Sequence, residues 1–187
     1  MADDDAKSFH DERRRLIGEL DLERNQFIRN IETCRIRDIE RPFIGGWSLK
    51  DIVGHVATWE AEVVSALKDL LAGRRPAVLD FDEATLDAWN DDHVARKREL
   101  DFWSVYEQLK GGRARLADVL ADVPDDALAD DTATERRLVH SLVDHDRDHW
   151  HAIAAVLAGM PGARQTGPQS VPAEAHQGEI AEGAAAP

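Results

Sequence analysis

His145 and His149, in "LVDHDRDHWHAIAAVL", are four residues apart, a spacing at which a helix carries both imidazoles on one side, one turn from each other. Two ring nitrogens so placed can bind one metal ion. Steps of three and four trace an apolar stripe through Leu138, Leu142, His145, His149, Ile153 and Val156, so both histidines stand on it. His140 and His151 fall with Asp144 and Arg147 on a polar strip and read as solvated. A third histidine, His55, lies at the edge of a second stripe formed by Ile52, Val56, Trp59, Val63 and Leu67. If these two helices pack together, three neutral imidazoles take three corners of a tetrahedral site. One or more positions then stay open for water or a ligand, as in a catalytic rather than a structural metal site. Nitrogen donors suit Zn²⁺, and also Ni²⁺ or Fe²⁺. The competing reading has the histidines bonded only to buried carbonyls or to carboxylates such as Glu60.

A ligating histidine needs a partner for its other ring nitrogen, and Asp51, Glu60, Asp146 and Asp148 are the acids nearby in sequence. Trp59, one turn beyond His55, and Trp150, beside His149, are candidates for the pocket wall, with plain core as the alternative for each. Trp89 and Asn90 are placed to approach from the next helix. Cys34 is the single cysteine and has no histidine beside it in sequence, so it reads as a small buried hydrophobe rather than a nucleophile.

The elements that must position these groups are helical. Four long segments show 3.6-residue periodicity and none shows the alternation of a strand. The first runs from about Ser8 to Ile31 on a stripe of Phe9, Leu16, Leu20, Phe27 and Ile31, and Pro42 bars any continuation. Ser48 and Asp51 form a capping box that starts the second, and Trp47 is placed to staple onto Ile52. Gly73 ends it. "AVLDFDE" is then a crossover loop. The third segment spans about Asp82 to Val123, with a break near "ELDFWS" where Asp101 can cap anew. An acidic loop follows Pro124, and Thr132 with Glu135 makes a second capping-box pattern for the last helix. That helix runs to about Ala158, ahead of Gly159 and Pro161. The expected organisation is a disordered lead over 1–7, one bundle over 8–159, and a Pro, Gly and Ala-rich disordered tail over 160–187. A four-helix bundle with one long crossover can host a metal on facing helices.

Composition narrows the function classes. The net charge of −14 repels nucleic-acid phosphates, and the basic runs "ERRRL" and "ARKREL" are interleaved with acids as on a solvated helix face. No run approaches the roughly 20 apolar residues of a membrane span, and no apolar core follows "MADDDAKS". One cysteine allows no intramolecular disulfide, so a cytoplasmic location is expected. Broad apolar helix faces make a homodimer a further expectation.

"GWSLKDIVGHVATWE", followed by "DAWNDDHVARKRE" and "DHDRDHWHAI", resembles the DinB/YfiT-like superfamily, over about Ser8 to Gly159. The resemblance implies an up-down-down-up four-helix bundle that binds a divalent metal through one histidine of the second helix and two of the last. Those positions fall on His55, His145 and His149. It further implies a metal-dependent enzyme, with zinc or nickel as the metal. Such an enzyme would be a thiol-dependent S-transferase or isomerase, using a thiol such as mycothiol or bacillithiol on an electrophilic small molecule. No distinct second domain, of the kind that mycothiol-dependent maleylpyruvate isomerases often append, is expected from this sequence, which counts against that specific activity. A non-catalytic metal- or small-molecule-binding module and a metal-free structural bundle are the alternatives.

Overall fold

Ser48 opens the helix that carries His55. Its hydroxyl accepts from the Asp51 N–H at 3.2 Å while the Asp51 carboxylate accepts from the Ser48 N–H at 3.0 Å, the reciprocal cap expected from the sequence. The same carboxylate takes a two-pronged ion pair from Arg98, and the buried Lys50 ammonium donates to the carbonyls of Arg98 and Leu100. One helix start thus anchors the end of another.

The computed structural model describes residues 2–164, and among these there is no strand. The helices are α1 (Ala2–Thr33), α2 (Leu49–Leu71), α3 (Glu83–Arg98), α4 (Phe102–Asp122), α5 (Asp125–Ala129) and α6 (Thr134–Leu157). The all-α expectation holds. Gly73, at φ +70°, ends α2 in the left-handed conformation that glycine adopts without strain. Asp101 accepts from the Ser104 N–H and starts α4, so the expected break divides the third segment. The connection between α2 and α4 contains a 3₁₀ turn, Ala77–Asp80, and α3, which packs on α2.

Several boundaries differ from expectation. The first helix begins at Ala2, so residues 2–7 are helical where a disordered lead was expected. The acidic loop contains α5, held from α6 by Arg136, whose guanidinium donates to the Leu128 carbonyl at 2.6 Å. Thr132 does not cap α6. Its N–H and hydroxyl both donate to Asp130, and the helix starts after Ala133 without a side-chain cap. The expected tail begins with an ordered strap: the Arg164 carbonyl accepts from the Gly45 N–H at 2.9 Å, and its guanidinium lies over the Phe43 ring. The rest of that tail, 165–187, lies outside the described residues.

α1 packs chiefly on α6 and α2 chiefly on α4, with a thinner seam where α2 meets α6. Two apolar clusters fill the interior. One centres on Leu16, Leu67, Leu116, Leu128 and Leu142, the other on Phe27, Phe43, Ile52, Leu109 and Ile153. Four charged side chains, Arg24 on α1, Glu60 on α2, Arg113 on α4 and Asp146 on α6, meet inside the bundle. Glu60 is fully buried, and it fits because α4 has glycine opposite it. A Cβ on Gly112 would overlap Glu60 Oε1.

Helix propensity alone makes Gly112→Ala stabilising by about 1 kcal/mol. Because Glu60 is held and has nowhere to move, the substitution is expected instead to destabilise by about 1 to 3 kcal/mol. Gly18→Ala, on an open face of α1 with nothing within 4 Å of the added Cβ, should gain about 1 kcal/mol. Urea midpoints of the two variants decide this, and a stabilised Gly112→Ala would show that Glu60 has room to shift.

Candidate metal centre

Each of the three histidines sits where an apolar stripe turns it into the α2–α6 seam, and the residues are 3 %, 2 % and 3 % exposed for His55, His145 and His149. Their Nε2 atoms converge. His145 Nε2 lies 2.9 Å from His55 Nε2 and 3.0 Å from His149 Nε2, and one nitrogen from each ring falls within 4.8 Å of the others. The sequence-expected trio is therefore one cluster.

A neutral imidazole nitrogen carries either one in-plane lone pair or one N–H. His145 Nε2 consequently cannot make two good hydrogen bonds to two other ring nitrogens, one on each side. A cation between the three resolves the conflict, because every lone pair then points at positive charge. With Zn–N bonds of 2.0 to 2.1 Å, tetrahedral ligands stand about 3.3 Å apart, so the rings need retreat only by tenths of an ångström. The residues fit a divalent metal.

Protonation favours the same reading. Burial, with the neighbouring His149, holds the His55 pKa well below its ordinary 6.5. His145 is lowered likewise by burial and by His149, His55 and Arg24, and burial takes His149 down to about 4. At neutral pH all three are uncharged, the form that ligates.

Aromatic rings close the site. The Trp47 ring lies edge-on to His55 at 5.0 Å between centroids, Trp59 is 6.4 Å from both His55 and His145, and Phe27 is 6.4 Å from His149. Trp59 thus lies beside the trio and is also part of the apolar core, so both expectations for it, pocket wall and core, stay open. Asn90 accepts from the Trp59 indole N–H at 3.0 Å and Trp89 packs on Trp59 at 4.6 Å, so both form the layer behind it. Trp150 faces elsewhere: its indole donates to Glu23 at 2.6 Å and its ring lies against His151. His151 is exposed, and the half-exposed His140 pairs with Asp144.

None of the four acids proposed as histidine partners serves as one. Asp51 binds Ser48 and Arg98, Asp148 is exposed, and Glu60 and Asp146 bind Arg24 and Arg113. The outer nitrogen of His145, Nδ1, is buried without a hydrogen-bond partner among the described residues. Glu60 belongs instead to the charge cluster beside the centre, which sequence reading missed. Its signal was present: Arg24 falls between Leu20 and Phe27, Glu60 between Val56 and Val63, Arg113 between Leu109 and Leu116, and Asp146 between Leu142 and His149. Every one of these charges occupies a stripe position. Cys34 accords with its reading as no nucleophile, since burial and the nearby Asp38 push its thiol pKa up to about 11.

The depressed histidine pKa values set a pH window for the metal-free chain. The unfolded chain takes up protons below about pH 6.5, while the folded chain resists until about pH 4 at His149, so stability is complete above 6.5 and declines between those limits. At pH 5.5 each of the three histidines is expected to cost about 1 kcal/mol relative to pH 7.5. Urea unfolding of chelator-treated protein at the two pH values measures this, and His149→Gln should show a smaller loss than the wild-type chain. Equal losses in both would refute the assignment.

The sequence pattern of the DinB superfamily matches residues 19–153, from the middle of α1 to about one turn before the end of α6, and so covers all three histidines. No curated protein and no solved structure matches the chain. With its all-helical architecture, its trio of histidines and this match over most of its length, the chain belongs to the DinB superfamily.

Proposed function

We propose that the chain binds one divalent metal, zinc or nickel, through His55, His145 and His149. With it the chain acts on an electrophilic small molecule as a thiol-dependent S-transferase or isomerase. A low-molecular-weight thiol such as mycothiol or bacillithiol is the co-substrate. The observation that carries the metal is the convergence of three buried, uncharged Nε2 atoms. When bound, a divalent ion supplies Lewis acidity, which lowers the pKa of a thiol or of water towards neutrality.

The chain's own residues supply position, charge balance and dryness. His55 comes from one helix and His145 and His149 from another, so the ligand set closes only when α2 and α6 pack. His55, His145 and His149 would hold the ion and would leave room for a further donor to bind it. No carboxylate is among the three, and the neighbouring charges of Arg24, Arg113, Glu60 and Asp146 sum to zero, so neither the ligands nor this charge cluster offsets the double charge of the ion. An anionic occupant of the open position is favoured for that reason, which suits a thiolate over a neutral donor. Trp47, Trp59 and Phe27 surround the histidines with apolar rings, an environment suited to an apolar electrophile.

One observation favours a second reading, a non-catalytic metal-binding bundle: the three rings are almost wholly closed off. Metal analysis of untagged protein tests the site itself. About one divalent ion per chain is expected, with His145→Ala weakening affinity more than about 100-fold, the upper range for losing even an outer-shell partner. Absence of the ion from both proteins would overturn the reading. Turnover of an electrophile with a panel of thiols then divides enzyme from binder, and a metal-loaded protein inert with every thiol leaves binding alone.

A further inference from the structure

Arg24 contributes no ligand, stands on a helix that carries none of the three histidines, and is 4 % exposed. Its guanidinium nevertheless makes two forks. Nε and Nη2 donate to the two Asp146 oxygens at 2.8 and 3.1 Å, and Nη1 and Nη2 donate to the two Glu60 oxygens at 3.1 and 3.0 Å. The Leu109 carbonyl on α4 accepts a longer bond at 3.4 Å. Planar, paired bonding of this kind fixes both distance and angle between the groups it joins.

The two carboxylates belong to the helices that carry the ligands. Asp146 directly follows His145 in the chain, and Glu60 lies five residues beyond His55, about 7.5 Å along the helix axis. These helices otherwise lean on other partners, α2 on α4 and α6 on α1, and the ligands meet across the thinner seam. Arg113 spans the same two carboxylates from α4, with Nη2 3.0 Å from each, but its Nε and Nη1 have no hydrogen-bond partner among the described residues. Arg24 alone engages both oxygens of both acids.

We propose that Arg24 is a positioning residue for the three-histidine centre, setting the separation and register of α2 and α6 through its paired bonds to Glu60 and Asp146. This rests on the metal reading above. A lysine keeps the charge but cannot make both forks, so charge and geometry are separable.

Co²⁺ is the probe, titrated into full-length chain and followed by its visible absorption, which reports ligand geometry. Arg24→Lys and the charge-balanced double variant Arg24→Met with Glu60→Met are each expected to bind Co²⁺ about 10- to 100-fold more weakly and to shift its absorption bands, with helical circular dichroism retained. Leu128→Ala, in the buried face of α5, should lower the melting temperature without moving either readout. A second measurement needs no variant: binding and positioning are reciprocal, so Zn²⁺ should slow hydrogen exchange at the Arg24 Nε–H of the wild-type chain. Wild-type Co²⁺ affinity and spectrum in the folded variants, or unchanged Arg24 exchange on Zn²⁺ loading, would overturn the positioning role. A wild-type chain that takes up no Co²⁺ would overturn the metal reading itself, and this role with it.

Discussion

Three imidazole nitrogens facing one another at about hydrogen-bond distance, with water excluded, impose the requirement that the rest of this bundle meets. In either tautomer the His145 Nε2 at its middle can satisfy only one of its two neighbours well, so by itself the cluster opposes folding. Something must hold α2 and α6 together at the point where their apolar stripes are interrupted. The apolar clusters on either side of the histidines do this along the helix axes, and the buried charges do it across them.

Burying four charges is not a route to stability in itself. Desolvating such groups costs several kcal/mol per ion, and their mutual attraction recovers this only when the geometry is good and every donor is used. Arg24 meets that condition and Arg113 does not. Burial and the nearby Arg24 charge push the Arg113 pKa below its usual value, while the carboxylates of Asp146 and Glu60 hold Arg24 charged against the cost of its burial. The return is specificity. An apolar seam tolerates sliding by a turn, whereas a guanidinium between two carboxylates has one register.

Much of the site was readable in the sequence because its residues obey the period of the helices that bear them. His55, His145 and His149 were found by steps of three and four, and Ser48 and Asp101 by the chemistry of caps. What failed was partner assignment. Periodicity gives the face on which Glu60 or Trp150 lies but not what stands opposite, so Glu60 was given to the histidines when Arg24 holds it, and Trp150 was given to the pocket when Glu23 does. The charges on the stripes were passed over for the same reason: one buried arginine is implausible alone and sensible only beside acids from two other helices. Local competition misled at Thr132, where Asp130 captures the hydroxyl that a capping box requires. The start of α1 was placed late because its apolar stripe begins only at Phe9, while the helix itself begins at Ala2.

Gly112 carries a consequence for reading related chains. A missing side chain on α4 is what admits the carboxylate of Glu60, so the two positions are coupled by volume although neither touches the other through a bond. Within the superfamily, a relative with a larger residue at the position of Gly112 should have lost the acid at the position of Glu60, and with it the partner for an arginine at the position of Arg24. Substitutions at these three places should change together. A brace that one sequence shows only as four charges on apolar stripes would then stand out as a pattern of shared inheritance.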